Sequence, residues 1–233
     1  MPVETVVRGA RFIAALLKRH AWRIALLFLG LLVPMWVFAE LADEVHEMEQ
    51  FVFDDPILLR AHALAGPGLD GFFIAVSKVG YEGVIVLDLA LVVVLLVIRH
   101  WREATFAGVA LAGSALLNLG AKQFFQRDRP TLWESISPED TFSFPSGHAM
   151  GSMTLAAAAV LLAWPTRWRW PMLALAGAFV VLVGYSRVYL GVHFPSDILA
   201  GWMAATAWVV GVYLVLFRTT GSPWKRAVVV DPR

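Results

Sequence analysis

The stretch ILAGWMAATAWVVGVYLVLF, residues 198–217, contains no charged residue. A transmembrane helix needs about 20 predominantly apolar residues, so this stretch predicts one. Four more charge-free runs of comparable length are 24–39, 104–121, 149–166 and 170–186. A sixth run, 72–98, is apolar but includes Lys78, Glu82 and Asp88. We therefore predict an all-α fold, a polytopic membrane helix bundle with six transmembrane helices.

The composition of the whole chain agrees with a membrane protein. Hydrophobic residues make up 59% of the sequence and charged residues only 16%, which is too apolar for an ordinary soluble domain. The net charge of +1 gives no support for nucleic acid binding. The chain has no cysteine, which excludes disulfides, thiolate catalysis and cysteine metal sites.

The distribution of basic residues predicts the orientation of the bundle. The arm 1–23, the turns 99–103 and 164–170 and the tail after Phe217 hold 13 of the 19 Lys and Arg residues. A six-helix order places these segments on one side, which the positive-inside rule makes cytoplasmic. Both termini are then cytoplasmic, and an acidic loop at 40–70, the segment 122–148 and the segment 185–197 face outward.

We expect one domain, 1–233, with its catalytic motifs at 122–197. Residues 3–20 of the N-terminal arm predict an amphipathic helix on the membrane surface. The extracytoplasmic loop 40–70 is expected to hold one short interfacial helix. Alternatively, the first apolar run could belong to a signal peptide that is cleaved after Ala39.

Cationic and imidazole side chains cluster on the predicted outward side. Lys122, Arg127 and Arg129 follow the third span, Ser146 and His148 open the fourth, Arg187 ends the fifth, and His193 and Asp197 open the sixth. Arginine forks and a lysine charge are the groups that bind phosphate. The cluster therefore predicts one anion site at the membrane surface.

Two helix starts sharpen this prediction. Ser146 is a favourable N-cap, and the free amides of the following turn attract anions. Gly147 would let the backbone approach a phosphate closely. Asp197 lies in the first turn of the sixth span near His193, where a carboxylate can hold one ring nitrogen and leave the other free to attack.

The same residues resemble a known family signature. The motifs Lys122-x6-Arg129-Pro130, Pro145-Ser146-Gly147-His148 and Ser186-Arg187-x5-His193-x3-Asp197 are similar to the three-part signature of the type-2 phosphatidic acid phosphatase superfamily. The superfamily includes lipid phosphate phosphatases, some soluble bacterial acid phosphatases and vanadium haloperoxidases. Six predicted spans make the integral-membrane branch the better match.

The resemblance implies a role for each matching residue. Phosphate would be bound by Lys122, Arg129, Ser146, Gly147 and Arg187. His193 would attack phosphorus and form a phosphohistidine, and Asp197 would orient it. His148 would protonate the leaving oxygen and then activate water. For Ser146, a role as a helix cap alone remains open.

The implied function is a membrane lipid phosphatase of the bacterial cytoplasmic membrane with an outward-facing site. Candidate substrates are undecaprenyl diphosphate, phosphatidylglycerol phosphate and phosphatidic acid. A phosphotransferase with the same intermediate, or a non-catalytic anion transporter or sensor, would carry similar residues. The sequence does not predict the oligomeric state.

The ionisable residues allow other assignments. His148, His193 and Asp197 could together bind a metal, but the arginines and lysine directed at the same place would repel a cation, so we expect neither a metal nor a cofactor. Arg127 can pair with Asp128, and both are left outside the site.

Three ionisable residues fall within the apolar run 72–98. Lys78 and Glu82 are spaced as an intrahelical pair. Asp88 is either a functional group or a hydrogen-bond partner of Asn118 or a neighbouring helix.

Overall fold

The computed structural model describes residues 21–218 and 222–224. Every regular element in these residues is helical, so the described part of the chain confirms the all-α prediction. The predicted amphipathic segment 3–20 lies outside the described residues, as do the tail residues Lys225, Arg226 and Arg233.

The described residues form seven helices, which we number in chain order. They are α1 Ala21–His46, α2 Asp54–His62, α3 Pro67–Val97, α4 Trp101–Phe125, α5 Gly147–Ala163, α6 Arg169–Tyr189 and α7 Pro195–Leu216. Two helices contain a π-helical segment, Leu26–Leu32 in α1 and Val79–Gly83 in α3. Each of the six apolar runs therefore lies within one helix, apart from a few residues at the ends of some runs.

Of the seven helices in the described residues, five are long and apolar enough to cross a membrane: α1, α3, α4, α6 and α7. The remaining apolar helix, α5, has 17 residues, which is at the short end of the range for a spanning helix. The chain therefore folds as a membrane helix bundle, and the count of six spans stays a prediction.

The first helix is longer than its charge-free run. It continues to His46, so the beginning of the segment 40–70 is helical rather than a loop. Leu41 and Val45 are buried one turn apart, while Glu40 and Asp43 are exposed. The acidic residues thus lie on the solvent-facing side of the last turns, where charge does not interrupt a helix. α2 is the short helix that was expected in this segment.

The start of α5 lies against the start of α7. A side chain at Gly201 in α7 would bring its Cβ within 2.9 Å of the carbonyl oxygen of Ser146, so glycine permits this close approach. The backbone N–H of Ser146 donates to the carbonyl oxygen of Asp197 at 3.1 Å. This packing fixes the two predicted motifs relative to each other.

The basic turns gather at the opposite end of the bundle. Arg23 donates to the carbonyl oxygen of Phe217 at 3.2 Å, and Arg102 donates to the carbonyl end of α7. Trp22 stacks on Trp164 with ring centroids 4.6 Å apart. These contacts join the start of α1, the start of α4 and the ends of α5 and α7, away from the predicted site.

Candidate active site

The eight predicted site residues lie together at one end of the bundle. They come from the last turns of α4 and α6, the starts of α5 and α7, and the loops 126–146 and 190–194. The residues are Lys122, Arg129, Ser146, Gly147, His148, Arg187, His193 and Asp197. All eight are buried or half-buried.

His193 is fully buried and directs its two ring nitrogens at different partners. Nδ1 lies 3.4 Å from Oδ2 of Asp197, and Nε2 lies 3.2 Å from Nη1 of Arg129. The Asp197 carboxylate is itself held, because Oδ2 accepts the backbone N–H of Phe194 at 2.9 Å. Burial, together with the charges of Arg129 and Arg187, lowers the pKa of His193 well below 6.5. The imidazole is therefore neutral at pH 7, and Nε2 faces the cations.

Two guanidinium groups form the cationic wall of the site. Arg187 is only 1% exposed and donates to Oγ of Ser77 in α3 and to a carboxylate oxygen of Glu139. Arg129 donates to the carbonyl oxygen of Val192 at 2.7 Å and also to Glu139. Both forks thus converge on one small space, as the recognition of a phosphate requires.

The start of α5 forms a second side of this space. Oγ of Ser146 accepts the backbone N–H of Ala149 at 3.5 Å, which confirms the predicted N-cap. Gly147 and His148 are the first two residues of the helix, so their N–H groups have no acceptor within it. These amides and the positive end of the helix dipole favour an anion here.

His148 lies at the more open edge of the site. Its side chain is 11% exposed, whereas that of His193 is fully buried. Nε2 lies 3.4 Å from Oγ of Ser77, and the ring packs against Tyr81 with centroids 5.1 Å apart. The two histidines therefore differ in exposure and in partners, since His148 contacts α3 and His193 contacts Arg129 and Asp197.

Lys122 contacts the loop 126–146. Its Nζ donates to the carbonyl oxygen of Phe142 at 2.6 Å and to Oγ1 of Thr141 at 2.9 Å. Arg129 donates to the same hydroxyl at 3.0 Å. Lys122 thus lies beside Arg129, where it fixes the loop and adds positive charge to the site.

Glu139, which no sequence motif predicts as a site residue, lies between the arginines and the histidines. Oε2 accepts from Arg129 at 2.7 Å, and Oε1 accepts from Arg187. The carboxylate oxygens are 3.8 Å from Nδ1 of His148 and 3.9 Å from Nε2 of His193. Burial opposes ionisation, but the surrounding positive charges, Arg187 first among them, outweigh it and lower the pKa of Glu139. A carboxylate therefore occupies the centre of the anion site.

The structure corrects the interpretation of Arg127. Its Nη1 lies 2.6 Å from Oδ1 of Asp197, and its Nη2 lies 3.1 Å from Oδ2 of Asp54. Its partners are thus these two carboxylates rather than Asp128. Asp54 and Asp197 are 3% and 0% exposed, and buried carboxylates are costly without a cation. Arg127 therefore belongs to the site, since it compensates the carboxylate that contacts His193.

Among the residues that the structure describes, Lys78, Glu82 and Asp88 of α3 make no hydrogen bond or ion pair with these site residues. Lys78 and Glu82 form the predicted intrahelical pair, with Nζ and Oε2 3.9 Å apart. Asn118 donates to the carbonyl oxygen of Pro145 at 3.1 Å rather than to Asp88. Oδ1 of Asp88 is buried and has no hydrogen-bond partner within the described part of the chain.

Comparison with known families and proteins extends the similarity beyond the motifs. The sequence profile of the PAP2 superfamily matches residues 103–220, a range that contains all eight predicted site residues. Phosphatidylglycerophosphatase B of Bacillus subtilis (strain 168) is 31% identical over 176 residues, which cover 70% of this chain and 83% of that protein. Undecaprenyl-diphosphatase of Sulfolobus acidocaldarius is 30% identical over 202 residues, which cover 82% and 88%.

A solved structure shows the same arrangement of helices. It is the crystal structure of a transmembrane PAP2-type phosphatidylglycerolphosphate phosphatase from Bacillus subtilis, which is 26% identical and superposes with a TM-score of 0.69. The superposition covers 78% of this chain and 93% of the other. The similarity therefore includes the surrounding bundle as well as the helices that carry the site.

Proposed function

The chain belongs to the PAP2 superfamily and is a membrane phosphatase, and we propose that it removes phosphate from a lipid monophosphate or diphosphate through a phosphohistidine on His193. One observation carries this proposal. A buried imidazole presents Nε2 to a space on which Arg129 and Arg187 converge. Phosphoryl transfer depends mainly on positioning and charge stabilisation, and this arrangement supplies both.

The proposed reaction has two steps. First, Nε2 of His193 bonds to phosphorus, the bond from phosphorus to the lipid oxygen breaks, and His148 gives its proton to that oxygen. In the second step His148 takes a proton from water, the water oxygen bonds to phosphorus, and the phosphorus–nitrogen bond breaks. Asp197 orients His193 throughout. The proposed phosphate-binding residues are Lys122, Arg129, Ser146, Gly147 and Arg187.

An apolar groove beside the site supports a lipid substrate. Its volume is about 1010 Å³, and it lies between α1, α4 and α7. Its lining includes Met35, Phe38, Leu116, Gly120, Phe124 and Trp208. The groove also reaches Pro145 and Met150, which flank the start of α5. We infer that the hydrocarbon chain of the substrate lies in this groove while its phosphate reaches the arginines.

The charge distribution supports an outward-facing site in a six-span bundle of the bacterial cytoplasmic membrane. The described basic residues near the other end of the bundle are Arg23, Arg99, Arg102, Arg167, Arg169 and Arg218. The positive-inside rule assigns that end to the cytoplasm. The substrate would then be a lipid of the outer leaflet, such as undecaprenyl diphosphate, phosphatidylglycerol phosphate or phosphatidic acid.

Phosphate release from these three lipids tests the proposed function. The purified protein in detergent, with excess EDTA and no added acceptor, is expected to release phosphate from at least one of them. EDTA should not inhibit, because cationic side chains rather than a metal neutralise the phosphate. Release only after addition of a sugar or lipid acceptor would identify a phosphotransferase. Release from none of the three lipids, with or without acceptor, would contradict the proposal.

Gly120→Leu is expected to slow hydrolysis of long-chain lipid phosphates by filling the groove. No atom lies within 4 Å of a Cβ built at Gly120, so the protein should still fold. Displacing two methylene groups from the groove, at about 0.8 kcal/mol each, would lower kcat/KM roughly tenfold. Hydrolysis of water-soluble p-nitrophenyl phosphate should be unchanged, because that substrate has no chain to place there.

Gly108→Leu is the matched control for this prediction. Gly108 lies on the same helix and is also open around its Cβ, but it does not line the groove. It should leave both activities unchanged. Two results would show that the groove does not bind the hydrocarbon chain. One is an equal loss of kcat/KM with both substrates in Gly120→Leu, and the other is the same loss of lipid hydrolysis in Gly120→Leu and Gly108→Leu.

A further inference from the structure

Glu139 lies where the proposed reaction needs a phosphoryl group. Its carboxylate accepts hydrogen bonds from Arg129 and Arg187 and lies within 4 Å of both histidines. A phosphorus atom that reacts with Nε2 of His193 must enter the same space. The carboxylate and the substrate phosphate therefore cannot occupy the site together.

We propose that Glu139 is an internal competitor for the phosphate site. Its carboxylate occupies the site, dianionic phosphates displace it, and singly charged phosphodiesters do not. The inference rests on the proposed function and deepens it, because it concerns which anions the same site accepts. Glu139 would thus be a specificity-determining residue for the reaction.

The position of Glu139 in the loop allows its side chain to leave. The loop is tied to the bundle on both sides of this residue. The Ser135 hydroxyl donates to the carbonyl oxygen of Leu190 at 2.6 Å, and the carbonyl oxygen of Phe142 accepts from Nζ of Lys122 in α4 at 2.6 Å. The Glu139 side chain is 27% exposed. Rotation about its own bonds can therefore carry the carboxylate into water while the loop stays attached.

Charge explains why this competition would be selective. A phosphodiester headgroup carries one negative charge, no more than the carboxylate it would have to displace. The carboxylate also has the advantage of being tethered, since a short linker gives an effective concentration on the order of millimolar or more. A phosphomonoester dianion interacts more strongly with the two arginines and can displace Glu139. Bilayer phosphodiesters would thus be kept out of a site that binds terminal phosphates.

Binding of two small anions to Glu139→Gln tests the proposal. The probes are inorganic phosphate and dimethyl phosphate, which are mainly a dianion and a monoanion in mildly alkaline buffer, titrated calorimetrically into detergent-solubilised protein. We expect Glu139→Gln to bind phosphate about tenfold or more tightly than the wild type, because the competing state is removed. Dimethyl phosphate should bind Glu139→Gln and not the wild type.

Asp140→Asn separates occupancy of the site from simple charge removal. Asp140 is the next residue, is exposed, and its change to Asn removes the same charge from the same loop. This variant should behave as the wild type does, binding phosphate with unchanged affinity and not binding dimethyl phosphate. The proposal would be overturned if both variants bound phosphate more tightly by the same factor, or if Glu139→Gln bound phosphate no more tightly than the wild type. Glu139→Ala provides a second test if Glu139→Gln is unstable.

The titrations use no turnover, so they distinguish the two proposals. Tight phosphate binding by Glu139→Gln together with no lipid hydrolysis by the wild type would contradict the proposed function alone. Normal lipid hydrolysis by the wild type together with unchanged phosphate binding by Glu139→Gln would contradict only the proposal that Glu139 is a competitor. Absence of phosphate binding in every variant would overturn the competitor as well, since there would be no anion site to occupy.

Discussion

His193→Ala is expected to abolish phosphate release and the formation of a covalent phospho-enzyme. The proposed nucleophile is Nε2 of His193, which is neutral because burial and the adjacent Arg129 and Arg187 lower its pKa well below 6.5. No titration is therefore needed to expose its lone pair at pH 7. Loss of a nucleophile that acts with its partners as a unit costs on the order of 10⁴-fold or more in kcat.

The measurement is a rapid quench with ³²P-labelled substrate. The quench must be alkaline, because the phosphorus–nitrogen bond of phosphohistidine hydrolyses in acid. Wild-type protein should retain label after denaturation, and His193→Ala should retain none. His46→Ala, which changes an exposed histidine at the end of α1, should label as the wild type does.

Two results would contradict the assignment of the nucleophile. One is label on His193→Ala, and the other is phosphate release at the wild-type rate. Since His193 is fully buried, its replacement leaves a cavity, so folding of the variant must be verified. An unchanged elution volume and helical circular dichroism would show that lost activity reflects chemistry rather than misfolding.

The helices and the core of the site could be predicted because their signals are local. The charge-free run 198–217 became α7, Pro195–Leu216, with its polar first turn just before the run. Ser146 caps α5 as its side chain and position predict. His193 and Asp197 are four residues apart across a helix start, so short-range geometry alone brings them together.

The remaining residues of the site could not be predicted, because tertiary contacts place them there. Glu139 follows Arg129 by ten residues in an irregular loop, where an acidic residue looks like any solvated charge. Asp54 and Arg127 are 73 residues apart and meet only because α2 packs beside the start of α7. Hydrophobic periodicity carries no information about such pairs.

The difference between local sequence signals and tertiary contacts also explains the length of α1. The apolar run ends at Ala39 because Glu40 is charged, and the sequence therefore predicts a loop after it. Helical structure needs only one apolar face, and the buried Leu41 and Val45 provide that face as far as His46. A count of consecutive apolar residues measures how much hydrocarbon a helix can cross, not where the helix ends.

His148→Ala is expected to lower activity by an amount that depends on the leaving group. In the proposed first step His148 protonates the leaving oxygen, and general acids of this kind contribute about 10²–10⁴-fold. Release of a lipid alcohol, a poor leaving group, should fall roughly 10³-fold because it needs that proton. Release of p-nitrophenolate should fall roughly tenfold or less, because this anion leaves without protonation.

The phospho-enzyme provides a second signature of the same residue. His148 is also the proposed base for the second step, so its loss should slow attack by water on phosphohistidine. With p-nitrophenyl phosphate, the variant should release one burst of nitrophenolate per active site and then turn over slowly, while ³²P label accumulates on the protein.

If His148 only bound phosphate, its replacement would lower the activity on both substrates equally and would give no burst. Equal losses with the lipid and the nitrophenyl ester, and no accumulated label, would therefore exclude His148 as the acid and base. An in-line displacement puts nucleophile and leaving group on opposite sides of phosphorus, so the proton for the leaving oxygen must come from a group other than the buried His193, and His148 is the second histidine near Glu139.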